Sequence, residues 1–412
     1  MSEQTFAIVG ANLAGGRAAE ALRERGFDGR IVLVGAEPDR PYERPPLSKP
    51  AFTRGETPPE KVYLRPPEYY LEQRIDLRLG ARALALDPRA RSVLLEDGDE
   101  LRYDKLLIAT GTGVRRLAVP GVELPGVHYL RTIRDAKAIG AELARAERVV
   151  VIGAGFIGAE MAATARVLGR EVALLEMLPV PLGRALGTEM GQLCAAIHRD
   201  HGTDLRCGVQ IAALRGGGRV EEVVLGDGST IRCDLCVVGV GVAPNVDWLA
   251  GSGVEIENGV VVDERCRTSV PDIYAAGDVA SWPNPLLGQR LRVEHYDNAQ
   301  NQGIHAAGAM LGADELYAPV PYFWSDQYEL TLQYLGHARG GERLAIRGDL
   351  EGRSFSAFYL DGDRVRAAFL VGRPREMLPT RRIIQAGKPI DVAVLTDEST
   401  DLRALARSLA ES

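Results

Sequence analysis

Thr5-Phe6-Ala7-Ile8-Val9-Gly10-Ala11-Asn12-Leu13-Ala14-Gly15 joins an apolar run of strand length to a glycine-bounded turn, and Arg17-Ala18-Ala19-Glu20-Ala21-Leu22 continues it with helical character. A second apolar run, Ile31-Val32-Leu33-Val34, ends near Glu37, 22 residues after Gly15. This is the β-α-β fingerprint of a dinucleotide site. Gly10 permits the tight turn, and Gly15 lets the helix pack on the strand. Phosphates would sit on the free N–H groups and positive dipole end of that helix, beside Leu13 and Ala14. Glu37 is placed to accept hydrogen bonds from a ribose. Asn12 stands where a middle glycine would let backbone approach the pyrophosphate. It tolerates positive φ better than most residues but brings a side chain, so it is expected to tune binding without abolishing it.

The pattern recurs 143 residues later. Arg148-Val149-Val150-Val151-Ile152 reads as a buried strand, and Gly153-Ala154-Gly155-Phe156-Ile157-Gly158 has all three glycines. Ala159 to Leu168 continues as a helix. Glu171-Val172-Ala173-Leu174-Leu175 then ends in Glu176, 18 residues after Gly158. Two such cradles at strand–helix junctions support each other, and the economical pairing of ligands is FAD with a nicotinamide. A carboxylate at Glu176 pairs with free ribose hydroxyls and repels a 2′-phosphate, which favours NADH over NADPH. Arg184 is either a residue that softens that preference or a solvated surface arginine.

Composition excludes several classes. The 412 residues suffice for two to four domains. Hydrophobic residues make up 46% and charged residues 25%, as in an ordinary globular protein. A net charge of −7 argues against non-specific nucleic-acid binding. Five of the 49 basic residues are Lys and 44 are Arg, a bias read as genomic. The start, Met-Ser-Glu-Gln-Thr, carries no basic n-region, so no secretory signal is expected. The most apolar stretch, 149–165, contains Glu160 and three glycines, so it reads as strand and helix and not as a membrane span. Five scattered cysteines make no disulfide framework. The expectation is a cytoplasmic protein.

Residues 101–113 read as a strand stopping at the turn Thr110-Gly111-Thr112-Gly113, and Cys236 to Asn245 repeats that phrase around Gly241. Asp272 to Asp278 gives a further strand ending at Gly277-Asp278. A strand returning after the second motif suggests that one nucleotide domain is inserted in the other. The expected fold is α/β, with two Rossmann-like dinucleotide-binding domains arranged as in glutathione-reductase-like flavoproteins, plus a C-terminal α+β domain. The predicted boundaries are 1–113 with 245–319 for FAD, 114–244 for NADH, and 320–412 for the last domain. There, Glu329 to Leu335, Ser354 to Leu360 and Val365 to Leu370 alternate as antiparallel strands do, and Asp401 to Leu409 reads as a closing helix.

Several motifs resemble a known family. Tyr42-Glu43-Arg44-Pro45-Pro46-Leu47-Ser48-Lys49, Tyr129-Leu130-Arg131-Thr132, Gly241 to Asn245, Ala276-Gly277-Asp278, Glu294 to Ala299 and Phe323-Trp324-Ser325-Asp326-Gln327 are similar to those of FAD-dependent, NADH-using ferredoxin reductases. Those enzymes serve bacterial cytochrome P450 and Rieske oxygenase systems, and the likeness runs along essentially the whole chain. It implies FAD contacts at Ala14, Glu37, Lys49, Ala83, Arg131, Asp278 and Tyr296, with Gly10, Asn12, Leu13, Gly15, Arg44, Thr110, Gly111 and Gly277 completing that side. Trp324 would cover the flavin edge, and Lys49 would lie near flavin N5. NADH would meet Gly153, Gly155, Phe156, Ile157, Gly158, Glu160, Glu176, Arg184 and Gly241. The family often has Trp where Tyr296 stands. Asp278 has a plainer alternative as a helix cap, and Trp324 as a core aromatic.

Hydride transfer depends on positioning. A cation beside the flavin stabilises its reduced, anionic form, and Lys49 is the candidate, with Glu160 as the counter-charge that resemblance implies. Glu160 is expected on the first turn of its helix, where its alternative role is to complement the helix dipole. Phe156 is either the ring displaced by nicotinamide or a packing residue. His198 and His201, with no third ligand in reach of sequence, read as solvated surface at a helix end. His295 and His305 read as structural, and no metal is expected. Cys233-Asp234-Leu235-Cys236 enters a strand, where residues three apart point to opposite faces, so it reads as structural.

Absence is more informative than presence here. Disulfide and peroxide reductases place a reactive Cys in the region that reads Arg44 to Lys49, and no Cys precedes residue 194. A flavin without a thiol relay accepts a hydride and releases electrons singly, which suits a [2Fe–2S] ferredoxin feeding a P450 or Rieske oxygenase. Ferredoxins are typically acidic, so Arg290, Arg292, Arg373, Arg375, Arg381 and Arg382 are candidate docking residues. Competing readings are a flavoprotein of the apoptosis-inducing-factor type, with a mainly conformational role, and a thiol-independent NADH oxidase. No nucleic acid or membrane partner is expected, and the chain is read as a monomer or weak dimer.

Overall fold

Apolar runs buried on both faces suit parallel sheets covered by helices, and both nucleotide motifs build one. The computed structural model describes residues 4–411. It divides into two units: the chain up to Glu43 with Glu60–Gly113 and Ala243–Phe323, and Arg44–Pro59 with Val114–Val242 and the chain from Trp324 onward.

In the first unit five parallel strands run in the order Ile273–Ala275, Lys105–Ile108, Thr5–Val9, Arg30–Gly35, Ile75–Leu79. The central strand, with Ala7 between Val32 and Leu106, delivers Gly10 to the carboxyl edge of the sheet. The helix Leu13–Glu24 starts there and packs on the helix Tyr296–Met310. Small residues make that crossing close: a Cβ at Gly303 would lie 2.3 Å from the Ala14 carbonyl oxygen. A three-stranded antiparallel sheet, Ala83–Asp87, Ser92–Leu95 and Glu100–Arg102, is appended.

The second unit repeats this plan. Its parallel sheet runs Asp204–Cys207, Glu171–Glu176, Arg148–Ile152, Leu235–Val238, Val127–Tyr129. The helix Phe156–Val167 follows the central strand, and the antiparallel strands Ile211–Arg215, Glu222–Leu225 and Thr230–Arg232 are appended. Its last part holds the antiparallel strands Leu330–Gly336, Arg364–Val371, Ser354–Asp361 and Arg343–Asp349, with the helices Met377–Ala386 and Leu402–Glu411. The alternation read between residues 329 and 370 is therefore strand, as expected.

Segment 44–59, placed by sequence within 1–113, groups with the second unit. The reason is local: Thr164 Oγ1 donates to the Ser48 carbonyl oxygen at 2.6 Å, and a Cβ at Gly140 would lie 2.5 Å from that of Thr53. Among the described residues no helix is long and apolar enough to cross a membrane.

Candidate active site

In the first unit, Gly10, Leu13, Ala14 and Gly15 form the expected strand–turn–helix. An α-helix leaves its first N–H groups without intrahelical acceptors, and Asn12 takes one of them. Its Oδ1 accepts from Gly15 N at 3.3 Å while its Nδ2 donates to Ala109 O at 2.5 Å. The side chain that departs from the glycine pattern is thus folded back onto the sheet edge as an N-cap. The turn keeps its shape, so the residues fit a bound dinucleotide.

Glu37 follows the strand Arg30–Gly35 and accepts from Tyr42 Oη at 2.6 Å. Thr110 and Gly111 follow Lys105–Ile108, and Thr112 Oγ1 donates to Asp278 Oδ2 at 3.4 Å. The element after Asp278 is the strand Ala280–Asn284, which removes its alternative reading as a helix cap. Tyr296 begins the helix Tyr296–Met310 and donates to Glu43 Oε1 at 2.6 Å; burial first, then that carboxylate, pushes its phenol up to about 12. Ala83 opens the appended sheet. Arg44, Lys49, Arg131 and Trp324, grouped by sequence with these residues, lie in the second unit.

The second glycine turn borders a cleft of about 590 Å³, lined by Gly153, Gly155, Phe156, Glu176, Arg184 and Gly241 among others. Gly155 tests whether that cleft suits a ligand. Its φ of −73° is open to any residue, and a Cβ built there meets nothing within 4 Å. Neither backbone strain nor protein packing demands glycine at this point. Close approach of a ligand would, as the fingerprint requires of its middle glycine.

Glu176 holds the turn from the side: its Oε2 accepts from Ala154 N at 2.6 Å and its Oε1 from Leu178 N at 2.8 Å. Arg184 is exposed on the cleft wall, Phe156 is half-buried and Ile157 is exposed.

Glu160 lies one turn deeper than expected, because the helix begins at Phe156 and not at Ala159. Its carboxylate, 6% exposed, does not simply complement the dipole. Oε1 is 2.8 Å from Lys49 Nζ and accepts from Ser325 Oγ at 2.8 Å, while Oε2 accepts from Ser48 Oγ at 2.5 Å. Asp326 Oδ2 stands 3.5 Å from the same ammonium. Two specific motifs, 42–49 and 323–327, therefore converge on one carboxylate. Ser48, Ser325 and Asp326 lie within those motifs, but no spacing rule assigns them this task. Arg44 donates to the Arg131 carbonyl oxygen at 2.5 Å. Trp324 is half-buried in the strand Tyr322–Gln327 and is not a core aromatic.

One further expectation is corrected. His198 is fully buried, not solvated; its Nδ1 meets Tyr328 Oη at 2.9 Å, and burial lowers its pKa to about 4. The reason is tertiary, since the turn carrying Tyr328 covers that face of the helix Gly183–Asp200. His201 stacks on Tyr328 with centroids 3.7 Å apart and meets Glu329 at 2.9 Å. Three candidate docking arginines are already engaged. Arg290 donates to the carbonyls of Val262 and Ser281, Arg292 pairs with Glu294 and Arg373 with Glu398. Arg375 and Arg382 are exposed, and Arg381 is half-buried. Cys233 and Cys236 are buried free thiols; burial pushes the first up to about 12 and the second well up.

The model of the family "Pyridine nucleotide-disulphide oxidoreductase" matches residues 4–303, and that of "Reductase C-terminal" matches 322–406. The anthranilate 1,2-dioxygenase system ferredoxin–NAD(+) reductase component of Burkholderia cepacia is 42% identical, over 98% of this chain and 99% of its own. Rhodocoxin reductase of Rhodococcus erythropolis is 39% identical over 98% and 95%. The crystal structure of the covalent putidaredoxin reductase–putidaredoxin complex superposes with a TM-score of 0.95 at 36% identity, covering 100% of both chains. The chain belongs to the pyridine nucleotide-disulphide oxidoreductase family, among its ferredoxin–NAD(+) reductases.

Proposed function

We propose that this chain is an NADH-dependent ferredoxin reductase of an oxygenase system, carrying FAD and delivering electrons to a [2Fe–2S] ferredoxin that serves a P450 or Rieske enzyme. Bound FAD supplies the conversion between two-electron hydride chemistry and one-electron delivery. The chain's own residues hold and orient. The turn 10–15, with Glu37, Thr110, Gly111, Ala83, Gly277, Asp278 and Tyr296, would hold FAD. The turn 153–158, with Glu176, Arg184 and Gly241, would hold NADH. Lys49, fixed by Glu160, would supply positive charge that favours the reduced cofactor, and Arg44, Arg131 and Trp324 would complete the flavin's surroundings.

The observation that carries this reading is the occupant of segment 44–49. Where a thiol-dependent reductase needs Cys, this chain has Lys49 in an ion pair with Glu160 at 2.8 Å, and its first cysteine, Cys194, is buried. We read the division of labour as 1–113 with 245–319, 114–244 and 320–412, with 44–59 packed against the second unit, and the protein as cytoplasmic and a monomer or weak dimer.

Stopped-flow mixing with NADH tests the reading. A ferredoxin reductase bleaches its flavin and then turns over rapidly with a [2Fe–2S] ferredoxin. Slow reoxidation through a long-lived charge-transfer complex would instead indicate a conformational flavoprotein, and fast reoxidation by oxygen alone an oxidase.

A further inference from the structure

The start of the helix Gly183–Asp200 lines the cleft assigned to NADH, and the helix is broken in its first turns. Leu182, its N-terminal boundary residue, sits in the left-handed region (φ 56°, ψ 11°) although it is a leucine with 6% exposure. Gly187 leaves the helix at φ 75° and ψ −178°. Non-glycine residues persist in the left-handed region only where their surroundings over-determine them, and such strain gathers at ligand sites. Here the surroundings are visible. Leu182 N donates to Ala154 O at 3.0 Å, and Ala154 N is itself held by Glu176. The short turn between these two irregular residues carries Gly183, Arg184 and Ala185 into the cleft wall.

The break at Gly187 takes the chain out of the helical path just after the Leu186 carbonyl. A buried carbonyl without a partner is costly. The partner comes from 173 residues away: Tyr359 Oη, on the strand Ser354–Asp361, donates to Leu186 O at 2.7 Å in a buried setting. Tyr359 is 5% exposed, its ring is edge-on to Tyr334 at 5.9 Å, and burial keeps its hydroxyl protonated as a donor. Contacts therefore run without interruption from Glu176 through Ala154, Leu182 and Leu186 to Tyr359.

The geometry points to Tyr359 as a positioning residue for NADH: its hydroxyl pins the Leu186 carbonyl and so fixes the Leu182–Gly187 turn that presents Arg184 to the nucleotide. The inference rests on the cleft beside Gly155 being the NADH site. It predicts that a residue of the C-terminal sheet, remote in sequence from both glycine motifs, sets nucleotide affinity without touching the nucleotide.

The test uses the FAD-loaded enzyme and four variants. Tyr359→Phe keeps the ring and removes the pin. It should raise the NAD+ dissociation constant and the NADH KM about fivefold, the scale of one buried hydrogen bond, while kcat and the flavin spectrum stay unchanged. Gly187→Ala, which disturbs the same turn from within, should raise KM likewise. Tyr334→Phe, whose hydroxyl accepts from Ala338 N at 3.0 Å, should leave it unaltered. Glu176→Ala separates the two layers of the argument. If it weakens NAD+ binding and Tyr359→Phe does not, the pin is refuted and the cleft stands. If neither weakens binding, the cleft reading falls and takes the pin with it. A Tyr359→Phe effect that lowers thermal stability and kcat but leaves KM and the dissociation constant in place also overturns the proposal.

Discussion

Lys49 Nζ lies 2.8 Å from Glu160 Oε1, and the carboxylate that holds it accepts two further hydrogen bonds, from Ser48 and Ser325. A buried carboxylate with one cation and two hydroxyl donors has little reason to move, so the ammonium is fixed in turn. Replacing Glu160 by Gln leaves the donors in place but removes the charge. The flavin reduction rate by NADH should fall about tenfold to a hundredfold, on the scale of losing one placed electrostatic group. Ser325→Ala should fall less, about threefold to tenfold. Stopped-flow flavin bleaching in the two variants checks both the order and the size.

Gly155→Ala should separate affinity from stability. A Cβ at Gly155 meets nothing within 4 Å, whereas one at Gly153 would lie 2.4 Å from Gly239 O on a backbone with φ 96°. Gly155→Ala should therefore keep the wild-type melting temperature and raise the NADH KM about tenfold or more, while Gly153→Ala should melt lower. Thermal melts paired with NADH titrations decide it.

Glu176 is expected to set the choice of nicotinamide. Its carboxylate is anchored by Ala154 N and Leu178 N, so its negative charge is held at the cleft wall. Glu176→Ala removes the repulsion toward a 2′-phosphate along with the anchor. The ratio of kcat/KM for NADH over NADPH should fall about tenfold or more, measured by steady-state kinetics with both nucleotides.

His198 predicts an acid sensitivity. Its folded pKa of about 4 lies below the ordinary histidine value of 6.5, because burial disfavours the charged ring. The unfolded chain therefore binds the proton more readily, and the neutral ring's contribution is fully present above pH 6.5. It is lost progressively as pH falls from there toward 4, by about 3 kcal/mol at the limit. His198→Asn removes that titration. The difference between wild-type and variant unfolding free energies should shrink across this pH window, read from denaturant unfolding at several pH values.

Much of this was legible in the sequence because the decisive signals are local. The glycine turns, the strands 148–152 and 171–176, and the alternation of 354–360 each state their structure within a few residues. Several things were not. Segment 44–59 groups by contacts with residues 140 and 164, which no local pattern announces. His198 reads as surface from its charged neighbours Arg199 and Asp200, and only the turn at Tyr328 buries it. The Asn12 departure looks like a lost glycine until its side chain is seen capping the helix. Ser325 and Tyr359 were missed for the same reason: hydroxyls are common in strands, and their targets lie 165 and 173 residues away.

The central claim is that electrons travel from NADH through the flavin to ferredoxin with no sulfur between. Treating the NADH-reduced enzyme with a thiol alkylating agent under anaerobic conditions, then counting ferredoxin reduced per NADH, addresses it directly. The account predicts two ferredoxins reduced per NADH before and after alkylation, at the same rate. Loss of ferredoxin reduction on alkylation, or an enzyme that reduces disulfides and leaves ferredoxin oxidised, would contradict it.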